Sequence, residues 1–259
     1  MIKQLLNEPD AYLIRLKSRI KLRLFTGAYR KWFRPFYGNF RDKKGLEIGG
    51  PSILFSGKIM PVYQLAESID GCNFSSHTVW EGEIISSDYN YFETKHGRQF
   101  ILEGTDLSSI KNEEYDFVLS CHNLEHIANP LKAIMEWVRV LKKGGTLLLV
   151  LPDKRYTFDR KRNYTDFSHL LQDLKNNTDE KDLTHLQEIL ELHDARLDPP
   201  VRNNFELLKE RSHNNFENRC MHHHVFGAAL LKEIMTYAGL KTVSQKFIPP
   251  FNQVIIGIK

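Results

Sequence analysis

Residues 115–152 read YDFVLSCHNLEHIANPLKAIMEWVRVLKKGGTLLLVLP, and this stretch decides the fold. Its first part, 116–120, is a short apolar run that predicts a buried strand. Asn129 stands before a proline and predicts a helix start, and the Gly-Gly pair at 144–145 predicts the end of that helix. Residues 146–151 are a second continuous apolar run. Strand, helix and strand in this order predict a right-handed βαβ unit in a parallel sheet covered on both faces.

A polar turn, residues 121–126, follows the first of these strands. Ligands of parallel sheets lie beyond the carboxyl ends of the strands, so this turn marks a candidate site. His122 and His126 share one face if the turn is helical, and His126 is a candidate general base. A structural role of His126 at the helix entry is the alternative. Cys121 and His122 are expected to contact a ligand mainly through their backbone.

The bulk composition is that of a soluble globular protein. The chain has 259 residues, of which 41% are hydrophobic and 26% charged. No run approaches the length of a membrane span, and the N-terminus lacks the apolar core of a signal peptide. The three cysteines, Cys72, Cys121 and Cys220, are scattered without zinc-type pairing. A reducing, cytoplasmic setting is therefore expected.

The N-terminal arm, residues 1–44, holds the basic character. It carries twelve Lys/Arg and three acidic residues, a charge of +9, which leaves 4 − 9 = −5 for the rest. Read as a helix, 11–25 separates an apolar face from a basic face. The apolar face has Tyr12, Leu16, Ile20 and Leu24, and the basic face has Arg15, Arg19 and Arg23. A lid packed on the main domain is the favoured interpretation. Contact of residues 11–36 with a protein or with an anionic membrane at its inner face is second, and no nucleic acid is expected.

The first core strand is predicted at residues 44–48 and runs into Gly49-Gly50-Pro51-Ser52, a turn where backbone can approach a ligand closely. Residues 62–69 are predicted as the second strand, ending at Asp70. Asp70 follows Gly49 by 70 − 49 = 21 residues, close to the ~20 expected for an acid that binds both hydroxyls of a ribose. A plain turn residue before a glycine is the alternative.

A third strand is predicted from residue 100 to Thr105-Asp106, and residues 72–91 are expected to be irregular. Asp106 could bind an adenine amino group or cap the following segment. Residues 154–220 are predicted as a mostly helical insertion over the site. Asp153, directly before it, is a second candidate base, with a capping role as the alternative. The insertion begins with a basic run suited to an anionic acceptor or to solvent alone: Lys154, Arg155, Arg160, Lys161 and Arg162.

The C-terminal part begins with three adjacent histidines, His222, His223 and His224. One of them, with His223 preferred, is a candidate base. A metal site of His222 and His224 with Asp153 or His126 is an alternative, but no companion carboxylate motif is evident and no metal ligand is assigned. A helix at 228–238 follows. Two final strands join through Pro249-Pro250 and predict an antiparallel edge, which brings the count to seven strands.

Four segments carry a resemblance to a known family: 115–152, GLEIGGPS at 45–52, Asp70, and Thr105-Asp106-Leu107. The chain resembles the class I S-adenosylmethionine-dependent methyltransferases, especially the methyltransferase type 11 group, over roughly 45–152 and 222–259. The resemblance implies a Rossmann-like α/β fold with a seven-stranded, mostly parallel sheet and an antiparallel last strand. The implied organisation is an arm (1–44), a core (45–153 and 221–259) and a helical insertion (154–220).

The resemblance also implies S-adenosylmethionine as cofactor and assigns its contacts. These are Glu47, Gly49, Gly50, Pro51, Ser52, Asp70, Asp106, Leu107, Cys121 and His122. The catalytic candidates are His126, Asp153, His223 and His122. The glycine loop is degenerate, because Pro51 and Ile53 stand where the family has later glycines.

The expected activity is methylation, by preference O-methylation, of a small-molecule or glycan-related acceptor. A non-catalytic binding or scaffold module in surface glycan biosynthesis is the alternative, favoured by the degenerate loop and the basic arm. A nicotinamide-dependent oxidoreductase is disfavoured, because the full glycine fingerprint is missing.

Overall fold

The computed structural model describes residues 9–201 and 204–259, with side chains from residue 13 except that of Arg15. Residues 1–8 of the basic arm and the side chains of Tyr12 and Arg15 lie outside the described part. The helices are α1 (Pro9–Phe33), α2 (Ile53–Ser56), α3 (Val62–Leu65), α4 (Pro130–Val140), α5 (Phe167–Asn176), α6 (Leu186–Leu192), α7 (Phe205–His213), α8 (Asn215–Asn218) and α9 (Ala228–Tyr237). The strands are β1 (Lys44–Ile48), β2 (Ser68–Asn73), β3 (His77–Thr78), β4 (Gly82–Glu83), β5 (Asp88–Phe92), β6 (Lys95–Ile101), β7 (Tyr115–Cys121), β8 (Leu141–Pro152), β9 (Lys241–Ile248) and β10 (Asn252–Ile258).

The main sheet has eight strands in the order β5-β6-β2-β1-β7-β8-β10-β9. The five central strands, β6 to β8 in this order, are parallel, and β10 is antiparallel to both of its neighbours. The predicted mostly parallel sheet with a reversed final strand is confirmed. The count of seven is wrong by one, because β5 lies within the stretch expected to be irregular. Tyr89 and Tyr91 of β5 are buried while Asp88 and Asn90 are exposed, the alternation of a half-buried edge strand.

The register brings three strand ends to one edge of the sheet. Ile48, the last residue of β1, is paired with Cys72 of β2 and with Ser120 of β7. The residues that follow each of these positions, among them Gly49 and Asn73, therefore lie side by side. This edge is where the parallel sheet was expected to bind a ligand.

Three predicted element boundaries are wrong. The stretch expected to open the second strand forms the short helix α3, which directs Tyr63 into the core, and β2 starts only at Ser68. The third strand ends at Ile101, so the segment around Asp106 is a loop. Helix α4 stops before the Gly-Gly pair, because Leu141 already pairs with Tyr115 across an irregular register. The predicted N-cap is present: the Asn129 side chain accepts a hydrogen bond from the Lys132 backbone N–H at 3.2 Å.

Two apolar clusters fill the two faces of the sheet. One is built around Trp137 of α4, which is fully buried and donates to the Gly104 carbonyl at 2.8 Å. The other is rich in aromatic rings and includes Tyr29 and Phe33 of α1. The carboxyl-terminal part of α1 is therefore part of the core, in line with the favoured interpretation of the arm as packed on the main domain. Leu24, in an earlier turn of α1, is 73% exposed to solvent.

The segment from residue 154 to 220 consists, where described, of helices, 3-10 turns and loops. Its interior combines apolar side chains such as Leu170 and Val201 with buried charged groups. Arg162 is 2% exposed and binds Asp159 at 3.0 Å and Glu188 at 3.1 Å. Within residues 9–201 and 204–259, no helix combines the length and apolarity needed to cross a bilayer.

Candidate active site

A cavity of about 800 Å³ opens at the edge where β1, β2, β6 and β7 end. Helix α1 adds Ile14, Ser18 and Arg19 to its wall. The segment 154–220 adds side chains such as Phe158 and Glu180, and the final hairpin adds Phe251. The arm and the inserted segment thus cover a cleft that the sheet alone would leave open.

The loop after β1 presents backbone to this cavity. Gly49, Pro51 and Ser52 line it, and Gly49 has φ +77. A Cβ on Gly49 would lie 2.4 Å from the Asn123 side-chain nitrogen, so glycine is required for both conformation and space. Asn123 also lines the cavity, and its Oδ1 is buried without a hydrogen-bond partner among the described residues.

Glu47 supports this loop from below and does not line the cavity. Its Oε2 accepts hydrogen bonds from Tyr63 at 2.6 Å and Tyr89 at 2.8 Å, and the Tyr63 oxygen accepts from the Ser52 backbone N–H at 2.6 Å. A Cβ on Gly50 would lie 2.2 Å from the Tyr89 oxygen. Gly50 therefore packs on the Glu47 network and does not face the cavity. Burial of the carboxyl raises the pKa of Glu47 to about 7, although the tyrosine hydrogen bonds act to lower it.

Asp70 lies within β2, away from the cavity lining. Its carboxylate accepts hydrogen bonds from the Arg98 backbone N–H at 2.8 Å and from the Tyr115 hydroxyl at 2.7 Å. The polar residue at the tip of β2 is Asn73, which lines the cavity and donates to the Gly50 carbonyl at 3.3 Å. Asp70, the predicted ribose acid, is therefore not at the tip of the strand, because β2 extends to Asn73 and does not end at Asp70.

The loop after β6 contributes Glu103, Gly104 and Thr105 to the lining. Asp106 instead caps the next turn, where it accepts a hydrogen bond from the Ser108 backbone N–H at 3.0 Å. Leu107 is fully buried. Neither Asp106 nor Leu107 reaches the cavity, so the alternative of a capping role describes Asp106 better than adenine contact.

The turn after β7 brings Cys121, His122, Glu125 and His126 to the cavity. His122 adopts φ +51, and its Nε2 lies 2.8 Å from Asn252 Oδ1. Its Nδ1 lies 3.6 Å from Glu125 Oε1. Burial acts to lower the pKa of His122. The interaction with Glu125 is stronger than this effect, so the pKa of His122 is raised. Glu125 is 1% exposed, and neither of its carboxylate oxygens has a hydrogen-bond partner among the described residues.

His126 is held as a neutral imidazole. Its Nδ1 lies 3.0 Å from the Met221 carbonyl, which requires the hydrogen on Nδ1 and leaves Nε2 as an acceptor. Burial, together with the neighbouring His222, lowers the pKa of His126 to about 4. Glu125, His126 and His222 also form a compact group. One potential metal-ligand atom of each side chain lies within 4.8 Å of those of the other two.

His222 forms a dyad with Asp159 that the sequence did not reveal. The His222 Nδ1 lies 2.5 Å from Asp159 Oδ2, and His222 lines the cavity. Burial would raise the pKa of Asp159, but His222 and Arg162 lower it to about 2, so the carboxylate is ionised. In its neutral form with the hydrogen on Nδ1 facing Asp159, His222 has Nε2 as a proton acceptor oriented by a buried carboxylate. The two residues are 63 apart in sequence, and no local pattern connects them.

The other two adjacent histidines point elsewhere. His223 is 1% exposed, does not line the cavity, and has its Nε2 3.0 Å from the Asn215 side-chain nitrogen. His224 packs against His169 and His185, with ring centroids 5.5 and 5.4 Å away. His222 and His224 therefore contact different groups, and the alternative metal set that joined them with Asp153 or His126 is not assembled.

Asp153 and the arginines of the basic run form ion pairs with each other or with other residues of the segment 154–220. Asp153 binds the Arg155 guanidinium at 2.5 Å, caps the turn at Lys154–Tyr156 and does not line the cavity. Arg160 binds Asp194 at 2.5 Å, and Arg162 is buried as described above. These arginines satisfy internal carboxylates. The suggestion that they bind an anionic acceptor is therefore not supported by their positions.

Comparison with known proteins agrees with this architecture. The family model described as a methyltransferase domain matches residues 71–149. An uncharacterized protein of Methanocaldococcus jannaschii is 39% identical over 74 residues, which are 28% of this chain and 36% of that protein. The chain thus spans about a third of the length of this curated relative.

Solved structures share the fold at low identity. An S-adenosylmethionine-dependent methyltransferase from Mesorhizobium loti is 10% identical with a TM-score of 0.50, covering 85% of this chain and 93% of its own. A structure from Listeria monocytogenes is 14% identical with a TM-score of 0.49, and the match covers 90% of this chain and 99% of that one. The sheet order and the Mesorhizobium loti structure show the fold that the resemblance implied, and residues 71–149 are similar to a methyltransferase domain.

Proposed function

We propose that this protein transfers a methyl group from S-adenosylmethionine to a hydroxyl of a small-molecule or glycan-related acceptor. The observation that carries the proposal is the meeting, in one cavity, of a glycine-supported backbone loop and the buried His222–Asp159 dyad. The loop is suited to holding a cofactor, and the dyad is suited to accepting a proton.

The residues at the strand ends fit the cofactor. Gly49 lets the loop pack closely against Asn123 on the cavity wall, and Asn73 offers an amide at the tip of β2, where ribose hydroxyls are bound in such sheets. Asn123 also lines the cavity, and its buried Oδ1 has no hydrogen-bond partner among the described residues. The volume of about 800 Å³ lies within the range of ~300–1,000 Å³ that ligand pockets occupy.

The bound cofactor would supply an electrophilic methyl group on a sulfonium. The acceptor hydroxyl has to lose its proton at or near attack, and His222 Nε2 is the preferred base because Asp159 orients its ring. His126 is the second candidate, with its own ring fixed by the Met221 carbonyl. The enclosing wall holds the two reactants together, which can contribute much of the acceleration.

The charges around the cavity favour a neutral polyhydroxylated acceptor or a cationic one over an anionic one. Four acidic side chains and two basic ones line it, and one of the basic residues, Arg219, is paired with Glu103 at 2.7 Å. Aromatic side chains complete the wall: Phe74, Trp80, Tyr156, Phe158 and Phe251. Flat rings beside carboxylates suit a sugar-like or heterocyclic acceptor with hydroxyl groups.

The exposed face of α1 is suited to a membrane surface. Leu16, Ile20 and Leu24 are 39%, 48% and 73% exposed, and the arm of residues 1–44 carries +9. Apolar side chains flanked by basic ones bind anionic lipid headgroups through buried area and charge together. The expected partner is an anionic bilayer, which would place the enzyme beside membrane-linked acceptors.

Calorimetric titration with S-adenosylmethionine tests the cofactor proposal. Gly49→Ala is expected to weaken binding at least about tenfold, because the new Cβ clashes with Asn123 and strains the backbone. Gly82→Ala is the matched control, since Gly82 has φ +68 but open space around its Cβ. Absence of binding to the intact protein, with or without added acceptors, would favour a non-catalytic binding module instead.

A further inference from the structure

Four side chains with metal-binding groups converge between the segment 154–220 and the core: His169, Asp173, His185 and His224. The Nε2 atoms of His169 and His185 lie 3.1 Å apart. Asp173 Oδ2 lies 3.4 Å from His169 Nε2 and 3.6 Å from His224 Nε2. None of the four lines the cavity described above.

Hydrogen bonds alone leave this cluster incomplete. Asp173 Oδ2 is buried and has no hydrogen-bond partner among the described residues. The two ring nitrogens 3.1 Å apart can share only one proton between them. That proton pairs the two rings, and His224 Nε2 lies 3.2 Å from the Ala128 carbonyl. Asp173 Oδ2 is left as a buried acceptor without a donor among the described residues, which costs free energy unless a cation lies beside it.

We propose that His169, Asp173, His185 and His224 bind one structural zinc ion. Zinc prefers four ligands in a tetrahedron, with bonds of about 2.0–2.2 Å, which places ligand atoms about 3.3–3.6 Å apart. Three of the six separations, 3.1, 3.4 and 3.6 Å, lie close to that edge length. One ligand atom of each of the three histidines lies within 4.8 Å of the others. Nitrogen and carboxylate oxygen are both common zinc ligands, and four protein ligands make a closed, structural site.

The positions of the ligands in the fold support this role. His169 and Asp173 are four residues apart on α5 and so lie on one face of that helix. His185 directly precedes α6, and His224 lies in the strand-like segment that leads to α9. The ion would tie two helices of the inserted segment to the core. His169 retains an exposed side chain, 40% accessible, which gives the ion a route from solvent.

The proposed ion lies next to the active-site segment along the chain. The His223 backbone N–H donates to the Glu125 carbonyl at 2.8 Å, so the segment that ends in His224 also holds the turn after β7. His222, two residues before the ligand, carries the proposed base. Zinc would thus fix the position of His222 indirectly. Removal of the zinc should therefore lower the stability of the protein first.

Metal analysis of the full chain, purified without a polyhistidine tag from zinc-supplemented medium, tests the proposal. The expected content is about one zinc per chain, falling below about a tenth in Asp173→Asn and in His169→Gln. His213→Gln is the matched control, because His213 is exposed on α7 and outside the cluster. Glu125→Gln controls for the other group of three possible ligands, Glu125 with His126 and His222. Both controls should keep their zinc.

Cobalt titration of the chelated wild type provides a second readout that does not depend on a variant folding. Binding at these ligands should give the strong visible absorption of four-coordinate Co²⁺, and zinc should restore the melting temperature lost on chelation. A wild type with neither zinc nor this spectrum would overturn the proposal. So would an Asp173→Asn protein that keeps its zinc, or loss of zinc in Glu125→Gln with Asp173→Asn unaffected.

Discussion

The substitution Glu47→Gln should make the protein more stable at alkaline pH and remove part of its pH dependence. Glu47 is fully buried beneath the glycine loop, and burial raises its pKa to about 7 from an ordinary value of 4.5. A carboxyl with a raised pKa favours the folded state in its protonated form. Its contribution is therefore fully present below pH 4.5, is lost as pH rises, and is gone above pH 7.

The size of this effect follows from the two pKa values. Their difference, 7 − 4.5 = 2.5, corresponds to about 3 kcal/mol of unfolding free energy at ~1.36 kcal/mol per pH unit. Glutamine has no proton to lose, so the free energy of Glu47→Gln minus that of the wild type should rise by about 3 kcal/mol between pH 4 and 8. Tyr63 and Tyr89 stay protonated throughout, because burial raises their pKa values further.

Urea unfolding of both proteins at several pH values from 4 to 8 measures this difference. Glu180 also has a pKa raised to about 7 by burial, but it is present in both proteins and cancels. Glu114→Gln is the matched control. Lys44 lowers the pKa of Glu114, so its substitution should produce no rise between pH 5 and 8. If the free energy of unfolding of Glu47→Gln minus that of the wild type stays constant with pH, the reasoning is refuted. If this difference falls as pH rises, the pKa of Glu47 is lowered and not raised.

Two further predictions concern catalysis and the membrane surface. His222→Gln should lower turnover by about 100-fold or more, measured as S-adenosylhomocysteine formed, because it removes the proton acceptor. Cofactor affinity should change by less than about twofold, and an equal loss of affinity would point to a binding role instead. Leu24→Asp should abolish cosedimentation with vesicles rich in phosphatidylserine and spare the melting temperature, since Leu24 is 73% exposed. Val79→Asp, at a site 56% exposed elsewhere on the surface, is the control, and equal binding by Leu24→Asp would contradict the membrane proposal.

The central βαβ unit could be predicted because its signals are local. The N-cap at Asn129 and the apolar runs on either side of α4 depend only on residues within one element and its ends. The hairpin of β9 and β10 followed in the same way from a short connection. The edge strand β5 was not predicted, because its tyrosines alternate with polar residues over only five positions, and so short an alternation is a weak signal of a strand.

The site was predicted only where the chain meets the cavity directly after a strand. Of the predicted site residues, Gly49, Pro51, Ser52, Cys121, His122 and His126 line the cavity. The assignments of Asp70 and Asp106 depended on strand boundaries, and a shift of a few residues moved the predicted ribose acid into the middle of a strand. Contacts between distant segments have no local signature. The Asp159 partner of the proposed base and the carboxylate that completes the histidine cluster both belong to this class, and they lie in the inserted segment.

The long helix α1 has a mechanical consequence. It is anchored at its carboxyl end by Phe33, which is fully buried, while Ser18 lies on the cavity wall 15 residues earlier. At a rise of about 1.5 Å per residue, Ser18 lies about 22 Å along the helix axis from Phe33. A tilt of the helix by about 10° around Phe33 would therefore displace Ser18 by about 4 Å. That displacement exceeds the diameter of a water molecule. A small change in the angle of one helix could therefore open a passage wide enough to begin exchanging ligands, without any rearrangement of the sheet that holds the chemistry.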